Sequence, residues 1–242
     1  MYIRIGILFF LVFILACKDQ NKSQPTFKTK DQKEDISSMK EEHKLTQKKT
    51  NPSIKIQLDY DTIEWSELTV ADSLLIDLKY ATSDNFTKTQ VYDCARCFLR
   101  PEVAARIRRI NFHLKRTHGW RLKLFDCYRP RPYQQRLWDI VPDPIYVSDP
   151  KKGSMHNRGA AVDLTIVDTH GKPLDMGTEF DYFGRKAHSD FQGLPDTVLA
   201  NRQFLEDIMV ANGFKGIQSE WWHYSISGLG SQLSEWIWDC KQ

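Results

Sequence analysis

The sequence predicts an α+β domain with a mainly antiparallel sheet and flanking helices, and two observations support that class. Helix-like and strand-like hydrophobic patterns are mixed along the chain, yet they do not alternate regularly as βαβ units do. The 242 residues are 41% hydrophobic and 27% charged, which is typical of a soluble globular protein with one sizeable core. Residues 56–242 are therefore predicted to form a single domain.

The first predicted elements follow one another from about residue 64. The apolar run in SLLIDLKYAT suits a buried strand. PEVAARIRRINFHLKRTHG repeats apolar residues at helical spacing between a starting proline and Gly119. RLKLFDCY alternates as a half-buried strand does, and the prolines of RPRP separate it from a short predicted helix, YQQRLWDIV.

The later elements complete the mixed pattern. AAVDLTI is predicted as a strand, and residues 168–195 form a long irregular stretch. TVLANRQFLEDIMVANG is predicted as an amphipathic helix that ends at Gly213, and SEWWHYSI is aromatic and strand-like. No internal repeat interrupts this order.

The first residues, MYIRIGILFFLVFILAC, indicate export. A short basic start precedes about a dozen apolar residues, too few to span a bilayer comfortably, which predicts a signal peptide over residues 1–16. The end, ILAC, resembles the bacterial lipobox, in which cleavage leaves Cys17 as the lipidated first residue. The alternative is a plain transmembrane anchor. Lipidation predicts a domain held outside the cytoplasm at a bacterial membrane, in the periplasm or cell envelope.

Residues 17–55 are predicted to be a disordered tether between the lipid and the domain. They are rich in Lys, Glu, Gln and Ser and offer little to bury. Their charges alternate in sign, and the whole chain carries a net charge of only +3, so neither feature favours nucleic acid as a partner. The sequence does not indicate an oligomeric state.

Four cysteines remain in the predicted domain: Cys94, Cys97, Cys127 and Cys240. An exported chain meets oxidising conditions, so one or two disulfides are expected, and three full pairings are open. CARC at 94–97 also allows a zinc knuckle or a redox pair, although no second Cys-x-x-Cys accompanies it.

The segment SMHNRGAAVDLTI contains half of a possible metal site. If AAVDLTI is a strand, one of its faces carries Val162, Leu164 and Ile166. Asp163 and Thr165 then lie on the other face, and a carboxylate there is costly to bury unless it is paired or binds a metal. Gly159 permits a tight turn that folds His156 back toward Asp163.

EWWH offers the other half. His223 can be a third ligand, and Glu220 can act as a general base beside it. Residues three apart lie on opposite faces of a regular strand, so this interpretation requires a bend or bulge near Trp221 and Trp222. The alternative is that the histidines are hydrogen-bonded or surface residues and that Asp163 caps a turn.

Both motifs also match a known family. SMHNRGAAVDLT fits S-x-H-x-x-G-x-x-x-D and EWWH fits E-x-W-H, the patterns of the zinc D,D-peptidases that act on bacterial cell-wall peptides. DLKYATSDNF, CARCFLR, DCYRPRPYQ and MGTEFD resemble, in matching order, the VanX-type D-alanyl-D-alanine dipeptidases. The resemblance covers roughly residues 68–227, and it implies a zinc D,D-peptidase-like fold.

The resemblance implies a role for each motif position. One Zn²⁺ per chain would be held by His156, Asp163 and His223. Glu220 would move the proton of the attacking water, and Arg129 would face the developing oxyanion. Ser154 and Asp181 would receive the ammonium group of the substrate. The simpler alternatives are a surface salt bridge for Arg129, a turn cap for Ser154 and a solvated carboxylate for Asp181.

The activity implied is hydrolysis of the free dipeptide D-alanyl-D-alanine to two D-alanines in cell-wall peptide turnover. Alternatives are a zinc D,D-carboxypeptidase that trims longer peptides and a zinc-containing binding module without turnover. A serine peptidase is disfavoured, because the S-x-x-K match at Ser37 lies in the charged tether and no K-T-G occurs. Cys127 departs from the family pattern, which is expected to have a small non-thiol residue there.

Overall fold

The computed structural model describes residues 58–229 and 232–241. The predicted signal peptide, Cys17, Ser37 and the predicted tether lie outside these residues. Within the described ranges, no helix is both long and apolar enough to cross a membrane.

A five-stranded sheet lies at the centre of the domain. Its strands, in spatial order, are β2 (Leu75–Ile76), β4 (Arg121–Asp126), β5 (Ala161–Val167), β7 (Glu220–Ser225) and β6 (Lys215–Ile217). Only β2 and β4 run parallel, and every other neighbouring pair is antiparallel. Two short strands, β1 (Ser66–Leu68) and β3 (Cys97–Leu99), pair separately. The predicted mainly antiparallel sheet is confirmed.

In the part of the chain that the structure describes, three α-helices accompany the sheet: α1 (Pro101–His118), α2 (Arg131–Ile140) and α3 (Asp196–Ala211). α1 ends at Gly119, whose φ of 71° is a left-handed conformation that glycine adopts without strain. α2 starts two residues before the predicted YQQRLWDIV, since the fixed φ of Pro132 is compatible with the first helical turn. The helix predicted before Gly213 also forms.

A largely aliphatic core joins α1 and α3 to the sheet. Its strand residues include Leu122, Leu124, Val162, Leu164 and Ile166, all completely buried. The apolar stripe of α1 packs in the same core through Val103, Ala104, Ile107, Ile110 and Leu114. The helical spacing of the sequence therefore identified the face of α1 that is buried.

A second, aromatic core is built around β3, α2 and the C-terminal segment. Its largest members are Trp65, Tyr80, Tyr92, Phe98, Tyr128, Tyr133 and Trp238. Two disulfides, Cys94–Cys240 and Cys97–Cys127, connect distant parts of the chain in this region. Each cysteine of CARC thus has a different distant partner, so CARC is neither a zinc knuckle nor a redox pair.

The strand predicted in SLLIDLKYAT is shorter than its apolar run. Only Leu75–Ile76 pair with β4, and a 3-10 turn follows at Lys79–Ala81. The Tyr80 carbonyl accepts hydrogen bonds from the backbone of Val91 and Tyr92, and the Tyr80 ring is buried in the aromatic core. Tertiary contacts therefore end the strand where its hydrophobicity alone would extend it.

Candidate metal centre and active site

Two imidazoles and one carboxylate meet at the centre of the sheet. His156 Nε2 lies 3.2 Å from Asp163 Oδ1 and 3.1 Å from His223 Nδ1, and His223 Nδ1 lies 3.0 Å from Asp163 Oδ1. Tetrahedral zinc with ligand bonds of about 2.0 to 2.1 Å separates its ligand atoms by about 3.3 Å. The three side chains are buried. Their atoms therefore have the spacing that one metal ion requires.

The turn before β5 brings His156 to this position. His156 begins a 3-10 turn that ends at Gly159, which has a φ of 69°. A Cβ on Gly159 would lie only 2.5 Å from the Trp65 ring, so glycine is required there for both its conformation and its size. His156 Nδ1 donates to the Cys127 carbonyl over 2.7 Å, which leaves Nε2 facing Asp163 and His223.

An irregularity in β7 places Glu220 on the same side as His223. β5 and β7 pair regularly, with Asp163 opposite His223. The register between β6 and β7 shifts, because Gly216 pairs with Tyr224 while Ile217 pairs with Glu220. Glu220 Oε2 consequently lies 3.9 Å from His223 Nδ1. The spacing of EWWH required such a bulge, and the structure has it.

A second irregularity, in β4, brings another carboxylate to the site. Leu124 pairs with Leu164, but Asp126 pairs with Asp163, so one extra residue is inserted at Phe125. Residues directly opposite each other point to the same face of a sheet. The bulge therefore turns Asp126 toward the Asp163 side instead of the aliphatic core.

The electrostatics of the site follow from burial and close charges. Burial alone would raise the pKa of Asp163, but the neighbouring His156 and His223 hold it well below its usual range. Burial alone would lower the pKa of His156, yet Asp163 and Asp126 raise it above 6.5. Burial raises the pKa of the Glu220 carboxyl above its ordinary value. A carboxyl of this kind suits proton transfer near neutral pH.

Arg129 is buried at the edge of the same site. Its Nε and Nη2 donate to Asp126 Oδ2 over 3.0 and 2.6 Å, and its Nη1 donates to Gln134 Oε1 over 3.0 Å. Its guanidinium lies 5.0 Å from the centre of the Tyr80 ring. The alternative of a surface salt bridge is wrong, because Arg129 is only 8% exposed and Asp126 is fully buried.

Asp181 and Ser154 also reach the site. Asp181 has a positive φ of 57° and accepts a 2.8 Å hydrogen bond from the Tyr80 hydroxyl. Burial raises the pKa of the Asp181 carboxyl well above its usual range, against the opposing effect of that hydrogen bond. The Ser154 hydroxyl donates to Asn157 Oδ1 over 3.1 Å, so it takes part in a local turn as well.

One small cavity lies between the candidate catalytic, metal-binding and substrate-binding residues. The seven residues that the sequence indicated line a volume of about 210 Å³, together with Tyr80 and Trp222. Sites for drug-sized ligands occupy roughly 300 to 1,000 Å³, so this cavity suits a smaller molecule. A larger cavity of about 520 Å³ lies between β4 and the 173–180 segment, and it contains none of the seven.

Comparison with known proteins agrees with this geometry. A family model described as D-ala-D-ala dipeptidase matches residues 65–238. A D-alanyl-D-alanine dipeptidase of Escherichia coli strain K12 is 41% identical over 172 residues, which cover 71% of this chain and 89% of that protein. The chain belongs to this dipeptidase family. The resemblance to the VanX-type enzymes is thereby confirmed, and the protein is a peptidase.

More distant members of the dipeptidase family cover the same part of the chain. The D-alanyl-D-alanine dipeptidase of Enterococcus faecalis is 32% identical over 172 residues, 62% of this chain and 84% of that protein. The Streptomyces coelicolor protein with the same name is 33% identical over 174 residues with the same coverage. These matches agree with the single α+β domain found above.

Sequence reasoning missed the residues that hold the dipeptidase site in place. Asp126 accepts hydrogen bonds from Arg129, from the Tyr92 hydroxyl over 2.6 Å and from the Cys127 backbone over 2.9 Å. Asn157 donates to the Arg129 carbonyl over 2.7 Å. A buried acid at the end of a predicted strand was the available signal for Asp126, because such a group requires partners.

Proposed function

We propose that the protein hydrolyses the free dipeptide D-alanyl-D-alanine to two D-alanines, with one zinc ion, in cell-wall peptide turnover. The observation that carries this proposal is the buried group formed by His156, Asp163 and His223, with Glu220 beside it. The curated relatives are named for hydrolysis of the same dipeptide.

The donor set fits zinc. Two imidazole nitrogens and one carboxylate oxygen are ligands typical of a catalytic zinc site with an open position. His156, Asp163 and His223 would hold the ion, and the Cys127 carbonyl would keep Nε2 of His156 free for it. Bound zinc supplies a Lewis acid that polarises the scissile carbonyl and makes water a better nucleophile.

Glu220 and Arg129 supply the chemistry that the protein itself contributes. The Glu220 carboxylate accepts a proton from the attacking water and delivers it to the leaving amine, for which its raised pKa is suited. The Arg129 guanidinium lies in the same cavity and stabilises negative charge that develops on the carbonyl oxygen. Asp126 and Gln134 hold it there, so little reorganisation is required during the reaction.

Asp181 and Ser154 recognise the amino end of the substrate. A carboxylate at Asp181 pairs with the free ammonium group, and the Ser154 oxygen provides a further acceptor. A peptide blocked or extended at its amino end loses that charge pair, and the buried Asp181 carboxyl then keeps only its hydrogen bond with Tyr80. Together with the small cavity, this favours the free dipeptide over the longer peptides of a D,D-carboxypeptidase.

Substrate comparison with and without a metal chelator tests the proposal. We expect D-alanyl-D-alanine to be hydrolysed faster than N-acetyl-D-alanyl-D-alanine and a cell-wall tripeptide ending in the same dipeptide. Chelation should abolish hydrolysis, and added zinc should restore it. Faster cleavage of the tripeptide would instead identify a carboxypeptidase, and zinc binding without any hydrolysis would identify a binding module.

The proposal includes attachment of the protein by lipid at Cys17 to the outside of a bacterial membrane. The lipobox-like ILAC supports it, and two disulfides in the described part of the chain agree with an oxidising compartment. Fractionation of cells that express the wild-type protein and Cys17→Ser tests this location. The wild-type protein should remain with membranes, and retention of both proteins there would contradict lipid anchoring.

A further inference from the structure

The segment that carries Asp181 has little regular structure of its own. Between β5 and α3, the chain forms an isolated bridge at Pro173 and a short 3-10 turn at Arg185–Ala187, and is otherwise irregular. Asp181 itself has a left-handed backbone conformation, which is unfavourable for a residue with a side chain. Contacts from elsewhere in the protein must therefore fix its position.

Arg202, on α3, makes contacts on both sides of Asp181. Its Nε donates to the Met176 carbonyl over 2.7 Å, on the N-terminal side. Its Nη2 and Nη1 donate to the carbonyls of Lys186 and His188 over 2.9 and 3.0 Å, on the C-terminal side. One rigid guanidinium thus fastens both limbs of the segment 176–188 to the same helix.

The surroundings of Arg202 are unusual for a buried cation. It is only 6% exposed, and its guanidinium donates to backbone carbonyls rather than to a carboxylate. Burial lowers the pKa of its guanidinium, although an arginine remains charged. Three backbone carbonyls compensate for its desolvation, and its guanidinium lies 5.9 Å from the centre of the Trp221 ring.

Trp221 connects the Arg202 guanidinium to β7, the strand that carries Glu220 and His223. It follows Glu220 in β7, and its Nε1 donates to Thr178 Oγ1 in the segment over 2.8 Å. Arg202 therefore contacts both the segment of Asp181 and the irregular part of β7, without reaching the cavity itself.

We propose that Arg202 is a positioning residue for substrate selection: it fixes the distance between Asp181 and the metal centre, so that the site accepts a free ammonium group. This inference rests on the proposed function, because it assigns to Asp181 the recognition of that group. If the segment were looser, Asp181 would occupy several positions. This would weaken binding of the substrate's ammonium group more than it would slow the chemical step.

Arg202→Met tests this inference, because methionine has a similar length and no donors. We expect KM for D-alanyl-D-alanine to rise about tenfold while kcat stays within about threefold of the wild-type value. The inhibition constant of N-acetyl-D-alanyl-D-alanine should not change, since that ligand has no ammonium. Arg202→Lys retains a charge and some hydrogen-bond donors. It should therefore restore part of the preference for the free dipeptide over the N-acetylated one.

Arg106→Met is the matched control. Arg106 also donates to a backbone carbonyl, that of Asn212, over 2.9 Å, but it lies on α1 and does not line the cavity. Its loss should lower the melting temperature without changing the preference for the free dipeptide. If Arg202→Met weakens both ligands equally, or lowers kcat alone, the inference is overturned. If Arg202→Met does not fold, the same criteria apply to Arg202→Lys.

Amide hydrogen exchange provides a readout that does not depend on activity. Arg202→Lys should increase exchange in the segment 176–188, whereas Arg106→Met should leave that segment as in the wild-type protein. Unchanged exchange in Arg202→Lys would contradict the inference even for an active enzyme. Wild-type protein that hydrolyses no dipeptide would contradict the proposed function alone.

Discussion

The two faces of β5 are equally buried and chemically opposite. Val162, Leu164 and Ile166 are completely buried in the aliphatic core, whereas Asp163 and Thr165, on the other face, are 3% and 1% exposed. Burial of the three apolar side chains stabilises the folded state, whereas burial of an unpaired carboxylate destabilises it. Burial alone therefore does not determine whether a side chain stabilises the fold or serves the site. The burial of Asp163 is compensated by its close contacts with His156 and His223.

Substitution on the two faces of β5 should separate activity from stability. Asp163→Ala removes a proposed zinc ligand, so we expect zinc to be lost and kcat/KM to fall on the order of 10³-fold or more. Leu164→Ala removes buried methyl groups, so we expect a loss of about 2 to 5 kcal/mol in the free energy of unfolding. Zinc analysis, dipeptide assays and urea unfolding measure these effects.

Each variant is the control for the other. Under conditions in which it is folded, Leu164→Ala should keep its zinc. Its kcat/KM should be close to that of the wild-type protein. Asp163→Ala should lose less stability than Leu164→Ala. Full zinc occupancy and activity in Asp163→Ala would remove the metal-centre assignment.

Glu220→Gln tests the proton-transfer role on the polar face. The amide keeps the size of the side chain but cannot accept the proton of water, so kcat should fall about 10² to 10⁴-fold. Zinc content should remain at the proposed one per chain, because Glu220 is not among the three proposed ligands. Glu179→Gln, at an exposed carboxylate in the neighbouring segment, should leave kcat unchanged. Equal activity of Glu220→Gln and the wild-type protein would contradict its role as a base.

Asp126→Asn tests the carboxylate that the bulge in β4 turns toward the site. The neutral amide holds Arg129 less firmly, so we expect kcat/KM to fall about 10 to 100-fold with zinc retained. Asp93→Asn is a matched control, since Asp93 accepts a hydrogen bond from Tyr133 outside the cavity. Measurements of kcat/KM and zinc content in both variants test this expectation. A similar small effect in both would mean that Asp126 serves the fold only.

Metal binding on the polar face of β5 should depend on pH. Burial opposes protonation of His156, but Asp163 and Asp126 raise its pKa above 6.5, so protons compete with the metal below that raised value. Zinc affinity should therefore decrease toward low pH, by up to about tenfold per unit. Competition with a coloured chelator at pH 8, 7 and 6 measures it. Leu164→Ala should show the same slope, and a flat profile would contradict the shift.

The main parts of the site were predictable because they depend on local patterns. Alternation in AAVDLTI separated Asp163 from the aliphatic face, and Gly159 indicated the turn that returns His156 toward it. The spacing of Glu220 and His223 even required the irregularity in β7. The roles of these residues were implied by family resemblance and remain predictions.

Other features depend on pairing between distant segments, and no local pattern contains them. The inserted residue at Phe125 is defined only by the register of β4 against β5. Arg129 was therefore open to interpretation as a surface residue, because its buried partner Asp126 could not be placed. The disulfide pairing was open for the same reason, since Cys94 and Cys240 are 146 residues apart.

The Cys97–Cys127 bond links the centre to the redox state of its surroundings. Cys127 carries the carbonyl that orients His156 and the backbone donor that contacts Asp126. The disulfide with Cys97 fixes the Cys127 side chain, and such a bond persists only in an oxidising environment. We expect reduction of this bond to loosen the position of the Cys127 carbonyl, and with it the orientation of the His156 imidazole.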